Sequence, residues 1–296
     1  MSNLKEIVAV GSIAFDTVET SMGKRERILG GSSTYFGIAA SSFSKVSLIG
    51  VVGNDFTEKE WALFKEYNID TSSIKVADGK TFSWGGIYND NFSERKTLFT
   101  NLGVFENFQP EINSTYNDPI LYLGNIQPQL QFDVISKIKK PSLIAADSMN
   151  LWIDLFPEDV WKLITMVDIF MLNEEEAIQL TKENNIEKII QQFLALGPKI
   201  VIIKLGGDGC LVAYENKIHH VSIVPNTPVE DPTGAGDSFS GGLLGYIAKY
   251  GIKEPLKAVA YGSAVASYTV SGFGVEKLVT MNHEDLIKKV EKITIS

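Results

Sequence analysis

From residue 119 onward the chain repeats one pattern: a short apolar run, a polar residue or turn, then a segment with apolar residues at helical spacing. The runs predict strands over 120–123, 143–146, 169–172 and 199–203. The segments between and after them predict helices over 132–138, 157–165, 174–180 and 186–196. Strands alternating with helices imply an α/β fold: a doubly wound, mostly parallel sheet with helices on both faces. In such sheets ligands bind beyond the carboxyl ends of the strands. Asn125, Asp147, Asn150, Asn173 and Lys204 all fall at those ends. The pattern that constrains the fold thus also sets polar side chains where a ligand would lie.

Upstream, apolar runs predict strands over 7–10, 27–29 and 46–52, and Thr57 with Glu60 reads as a capping box opening a helix over 57–67. Residues 80–100 depart from the pattern. Phe82, Trp84 and Tyr88 alternate, Asn89-Asp90-Asn91 makes a turn, and the chain resumes extended from Arg95, which is a hairpin signal. Period-2 alternation places Phe82, Trp84 and Tyr88 on one face and Ile87 on the other, with Leu98 and Phe99 on opposite sides of the paired strand. A second hairpin is expected over 210–224, across Glu215-Asn216-Lys217.

Asp231-Pro232-Thr233-Gly234-Ala235-Gly236-Asp237-Ser238-Phe239-Ser240-Gly241-Gly242 reads as a glycine turn running into a helix. The first N–H groups of a helix lack intrahelical partners, and with the helix dipole they form an anion site. Asp237 stands at its mouth, where the dipole is expected to hold a carboxylate ionised. A phosphate in the cradle would repel it, which suits it to accepting a proton rather than binding phosphate. A capped helix with Asp237 as N-cap explains Asp237 and Phe239 equally well. It does not explain two glycines before the helix and two more in its first turns, each costing about 1 kcal/mol against Ala.

The 296 residues suit one large α/β domain. A formal net charge of -9 argues against nucleic acid or an anionic membrane as partner. Cys210 is the only cysteine, which precludes an intrachain disulfide and suits a cytoplasmic setting. No apolar run approaches the ~20 residues that span a bilayer. His219, His220 and His283 are scattered and make no metal set.

The Asp231-to-Gly242 stretch closely resembles the C-terminal signature of the ribokinase-like (PfkB) carbohydrate kinases. The resemblance extends over nearly the whole chain, through Gly30-Gly31, the shortened Gly53-Asn54-Asp55-Phe56 element, Asn173-Glu174-Glu175-Glu176 and Gly206-Gly207-Asp208-Gly209. It implies a single ribokinase-like domain over 1–296, with lid insertions near 17–31 and 80–101 forming a small β lid over the substrate. It implies ATP-dependent transfer of the γ-phosphoryl group to a hydroxymethyl group of a small sugar, as in ribokinases and fructokinases. A nucleoside is the alternative acceptor. A nucleotide- or sugar-sensing protein without turnover is a third reading, against which the intact Asp237 and Glu176 weigh.

By the same resemblance Asp237 is the catalytic base, and Gly234, Ala235 and Gly236 supply the anion hole. Asp16, Gly30, Gly31 and Asn101 face the acceptor together with Asp237. Asn173, Lys204, Gly206, Gly209, Gly234, Gly236 and Gly272 line the nucleotide. Glu176 holds Mg²⁺ through water, in keeping with that ion's habit of retaining its waters. Asp231 and Thr233, facing the 270–274 loop, hold a monovalent cation such as K⁺. One departure concerns the acceptor: the family often continues Gly30-Gly31 with a small residue and an Asn, where this chain has Ser32-Ser33-Thr34-Tyr35. The segment 147–152 carries no Arg or Lys, so an acceptor that is already phosphorylated is not expected. Apolar residues on both faces of the lid suggest a homodimer through it.

Overall fold

The computed structural model describes residues 4–92 and 94–296. Its strands are β1 (Ile7–Val10), β2 (Ala14–Thr20), β3 (Gly23–Gly30), β4 (Val46–Gly53), β5 (Asp70–Ala77), β6 (Phe82–Tyr88), β7 (Arg95–Asn101), β8 (Ile120–Leu123), β9 (Leu143–Asp147), β10 (Ile169–Asn173), β11 (Ile200–Lys204), β12 (Cys210–Tyr214) and β13 (Lys217–Val221). Nine of them form one sheet in the order β13-β12-β11-β10-β9-β8-β1-β4-β5. All its pairings are parallel except those of β12 with β11 and with β13.

Up to the polar residues that close them, β9, β10 and β11 are apolar at every position because both faces are covered. Ile169, Met171, Ile200 and Ile202 belong to the core on one face, and Phe170, Leu172, Val201 and Ile203 to the core on the other. The first core also takes the helices Ser32–Ser41, Ala235–Tyr250 and Pro255–Thr269. Gly241 and Gly242 owe their presence to this packing rather than to a ligand. A Cβ at Gly241 would stand 2.6 Å from the Phe36 carbonyl oxygen, and one at Gly242 would stand 2.7 Å from Val265.

The second sheet is the lid, in the order β3-β2-β6-β7. β2 and β6 are parallel, and each pairs antiparallel with its hairpin partner. The first lid ribbon begins at Ala14 rather than near 17. Asp55 ties the lid to the body. Its Oδ1 accepts from the Thr81 N–H at 2.7 Å and the Thr81 hydroxyl at 2.8 Å, and its Oδ2 accepts from Arg27 at 3.2 Å.

Three elements lack the sequence signal that marks the others. Helix Ser32–Ser41 is buried at nine of its ten positions, so no apolar stripe stands out against a polar one. β5 lies at the sheet edge and opens with Asp70-Thr71-Ser72-Ser73. Helix Asn150–Leu155 is six residues long.

Candidate active site

Three neighbouring parallel strands deliver the polar groups. β9 ends in Asp147, β10 in Asn173 and β11 in Lys204. The Lys204 ammonium donates to Asp147 Oδ2 at 2.6 Å. Burial opposes the Lys204 charge, but Asp147 and Glu176 outweigh it and hold the ammonium above the usual lysine range. Asn173 and Glu176 form a capping box on helix Glu174–Thr181: Glu176 N–H donates to Asn173 Oδ1 at 2.8 Å, and Asn173 N–H donates to Glu176 Oε2 at 2.9 Å. Their spacing is therefore explained first by helix capping. Glu176 is nonetheless buried, and burial pushes its pKa up to about 7, opposed by Lys204 and reinforced by Asp147.

The glycine turn faces these strand ends. Gly234, with φ 77°, opens helix Ala235–Tyr250, and no side chain caps it. Asp237 is thus the third helical residue and not an N-cap. A Cβ at Gly236 would lie 3.2 Å from Lys204 Nζ, so the ammonium reaches the turn. The Ala235 N–H closes the turn onto the Pro232 carbonyl at 3.2 Å, and the Asp237 N–H serves its own carboxyl.

The expectation that the helix dipole keeps Asp237 ionised is overturned. Burial raises its pKa to about 7, the Asp147 charge adds to the rise, and Lys204 only partly offsets them. Desolvation of a carboxylate outweighs a partial dipole charge.

On the lid side, Asp16 is buried on β2 and not a loop acid. Burial first, then Asp231 and Asp237, raise its pKa to about 7, against a hydrogen bond from Gly31 N–H. Gly30 has to lack a Cβ, because one would fall 1.9 Å from Asp16 Oδ2. Asp231 is buried, and burial raises its pKa; its carboxylate accepts from Thr233 N–H at 2.8 Å and Gly274 N–H at 3.4 Å, joining the glycine turn to the 270–274 loop. Thr233 shares a hydrogen bond of 3.2 Å with the hydroxyl of Tyr88, at the far end of β6. The lid therefore rests on the glycine turn.

Gly206 and Gly209 flank a short turn after β11; a Cβ at Gly206 would meet nothing within 4 Å, so this side is open. Gly272 stands against the Lys277 side chain. Asn101 is not brought to the rest: Asp16, Trp84 and Thr100 share one register position across the lid, whereas Asn101 sits at the next, exposed, with its amide toward Ser83 at 3.4 Å. Two residues gain parts that sequence reasoning did not give them, Asp147 through its ion pair and Tyr88 through its lid contact. Only the strand-end position of Asp147 offered a signal. Among the described residues no three His, Cys, Asp or Glu side chains converge on one metal position. A divalent cation here would draw its remaining oxygens from water and phosphate, which suits Mg²⁺.

A model of the pfkB family of carbohydrate kinases matches residues 5–280. The chain belongs to this family. As a pfkB kinase it is a phosphotransferase with a hydroxyl acceptor. It is 28% identical over 269 residues to a cytidine kinase of Thermococcus kodakarensis, covering 85% of this chain and 91% of that one. It is 26% identical to a ribokinase of Staphylococcus aureus, covering 75% and 74%. The fold of this kinase superimposes on Methanocaldococcus jannaschii nucleoside kinase with TM-score 0.78 at 18% identity, covering 99% of this chain and all of the other. A fructokinase double mutant from Vibrio cholerae, solved with fructose, ADP and potassium, gives TM-score 0.79 at 18% identity, covering 98% and 99%. No helix among the described residues of the kinase is long and apolar enough to cross a membrane.

Proposed function

We propose that the protein transfers the γ-phosphoryl group of ATP to a hydroxymethyl group of a small, unphosphorylated sugar, with Asp237 as the base. One observation carries this reading: Asp237, Lys204, Asp147 and Glu176 meet at the glycine turn, at the carboxyl ends of parallel strands and under a lid that touches Thr233. Asp237 accepts the proton of the acceptor hydroxyl as it attacks in line. Lys204, charged and reaching Gly236, neutralises phosphate oxygens at the turn. The backbone of Gly234, Ala235 and Gly236 stabilises the transferring group once its amides turn to it. Gly206 leaves room for the nucleotide, beside Asn173 and Gly272, and Gly209 shapes the turn by packing against the Val221 backbone. Asp16, against Gly30 and under Gly31, binds acceptor hydroxyls.

Mg²⁺ held through water near Glu176 would neutralise the remaining phosphate charge. A monovalent cation would lie beside Asp231, each of whose carboxylate oxygens accepts one backbone N–H and keeps a further lone pair, with backbone carbonyls where the two loops meet as its other ligands. The potassium in the V. cholerae fructokinase supports keeping that assignment.

A nucleoside acceptor is the second reading, favoured by the cytidine and nucleoside kinases among the relatives. Arg95 of β7 lies over Trp84 and its charge reaches Tyr88 and Glu176, whereas the basic residues of the first lid ribbon are engaged elsewhere, which favours an acceptor without phosphate. Lys24 pairs with Glu26, Arg25 lies over Phe273, and Arg27 pairs with Asp55. The lid also supports a homodimer: β7 is exposed along its whole length, with Leu98 and Phe99 on it. A screen of ribose, fructose, their phosphates, cytidine and adenosine for magnesium-dependent ADP release tests the reading. Turnover of a free sugar supports it, and turnover of a nucleoside alone selects the second reading. Turnover of a sugar phosphate alone, or of none, overturns it.

A further inference from the structure

Tyr35 lies in the first turn of helix Ser32–Ser41, in the stretch where this sequence departs from the family pattern. The side chain is 1% exposed. Its ring lies across the glycine turn, so that a Cβ at Gly234 would fall 2.4 Å from it. The phenol thus fills the corner between the lid carboxylate and the base. Its hydroxyl is buried and has no hydrogen-bond partner among the described residues, and the same holds for the Ser33 and Thr34 hydroxyls beside it. Ser12 and Ser32 bond each other's backbone N–H groups and Tyr88 bonds Thr233; the hydroxyls of Tyr116, Tyr122 and Tyr268 are buried without a partner too, but Tyr35 is the one whose ring lies against Gly234. Burial, then Asp16, Asp231 and Asp237, hold the Tyr35 phenol well above the usual tyrosine range, so it carries its proton at any working pH. A ring needed only for packing would be better without the hydroxyl, since an unpaired buried donor is destabilising. Phe would fill the same space.

Resting on the kinase reading above, we propose that Tyr35 is a substrate-binding residue that sets acceptor specificity. Its hydroxyl donates to the ring oxygen of a furanose, bare or in a nucleoside. Asp16 and Asp237 only accept hydrogen bonds once ionised, as they are above about pH 7, and then recognise hydroxyl groups of the acceptor. A furanose ring oxygen, one carbon removed from the hydroxymethyl group, has no proton and requires a donor. Tyr35 is the neutral donor set among those carboxyls.

The test compares the wild-type chain with Tyr35→Phe, which keeps the ring against Gly234. Melting temperature is measured with ribose, fructose, cytidine and the carbocyclic analogue of cytidine, in which CH₂ replaces the ring oxygen. ADP release is measured separately on the same panel. Without ligand, Tyr35→Phe melts at or above the wild-type temperature. At least one furanose or nucleoside stabilises the wild type, and its affinity falls about tenfold or more in the variant, the scale of one lost hydrogen bond in a buried site. The carbocyclic analogue binds both proteins equally weakly. Equal stabilisation of both proteins by every ligand, no stabilisation of either, or wild-type preference for the carbocyclic analogue overturns the proposal. Loss of binding in Tyr35→Phe without ADP release from either protein keeps the Tyr35 assignment and removes the kinase reading. ADP release with unchanged acceptor KM in Tyr35→Phe does the reverse.

Discussion

Replacing Asp237 by Asn separates its chemistry from its place in the fold. The carboxyl is not the N-cap, and the bond it takes from its own N–H can be accepted by an amide oxygen as well, so the Asn side chain leaves Ala235–Tyr250 intact. The native carboxyl has its pKa near 7 because burial and the Asp147 charge outweigh Lys204. At pH 7 about half of the free enzyme therefore carries an ionised base, and at pH 6 about a tenth. kcat/KM should fall tenfold per unit well below pH 7 and level off above pH 8. The Asn variant should lose roughly 10²- to 10⁴-fold in kcat, the scale of general-base catalysis, or about 3–5 kcal/mol of barrier. It should also lose the pH limb, while the KM for ATP changes much less. Asp147→Asn supplies the control. It removes a charge that raises the Asp237 pKa and releases a Lys204 that lowers it, so the limb should move to lower pH. A coupled ADP-release assay across pH reads both effects. An Asn variant within threefold of wild-type kcat, or one retaining the limb near pH 7, would refute Asp237 as the base.

Gly234→Ala should lose activity and melt several degrees lower, because φ is 77° and the new methyl meets the Tyr35 ring; thermal melting checks this. Asp16 has a raised folded-state pKa, so its stabilising protonation is complete below about pH 4 and lost as pH rises through about 7. Asp16→Asn should therefore raise the ligand-free melting temperature at pH 8 while weakening acceptor binding, and a variant less stable than wild type at that pH would contradict this. Light scattering should give twice the mass of one chain, reduced by Leu98→Glu or Phe99→Glu; a single-chain mass at every concentration would exclude the lid dimer.

The sequence by itself determined the features that depend on neighbours along the chain. Apolar runs of four or five residues alternating with helical spacing fixed a doubly wound sheet, because strands covered on both faces can carry no polar alternation. The polar residues closing those runs marked the ligand edge. The Thr57–Glu60 box formed as read; Asn173 and Glu176, read as a nucleotide and metal pair, close a second box of the same kind, both being contacts within one turn. Gly234, Gly236 and Asp237 announced a site because their spacing is local. Tertiary structure decided the rest. Helix Ser32–Ser41 is wrapped in core on nearly all sides and leaves no periodic signature, so the reach of Tyr35 to Gly234 could not be foreseen. Gly241 and Gly242 looked like part of an anion site until the helices that press on them were in place. Tyr88 and Thr233 stand 145 residues apart in the chain and meet only when the lid folds down. The charge of Asp237 followed the same logic: a dipole belongs to the helix and can be read locally, but desolvation belongs to everything packed around the carboxyl. Here desolvation is the larger effect.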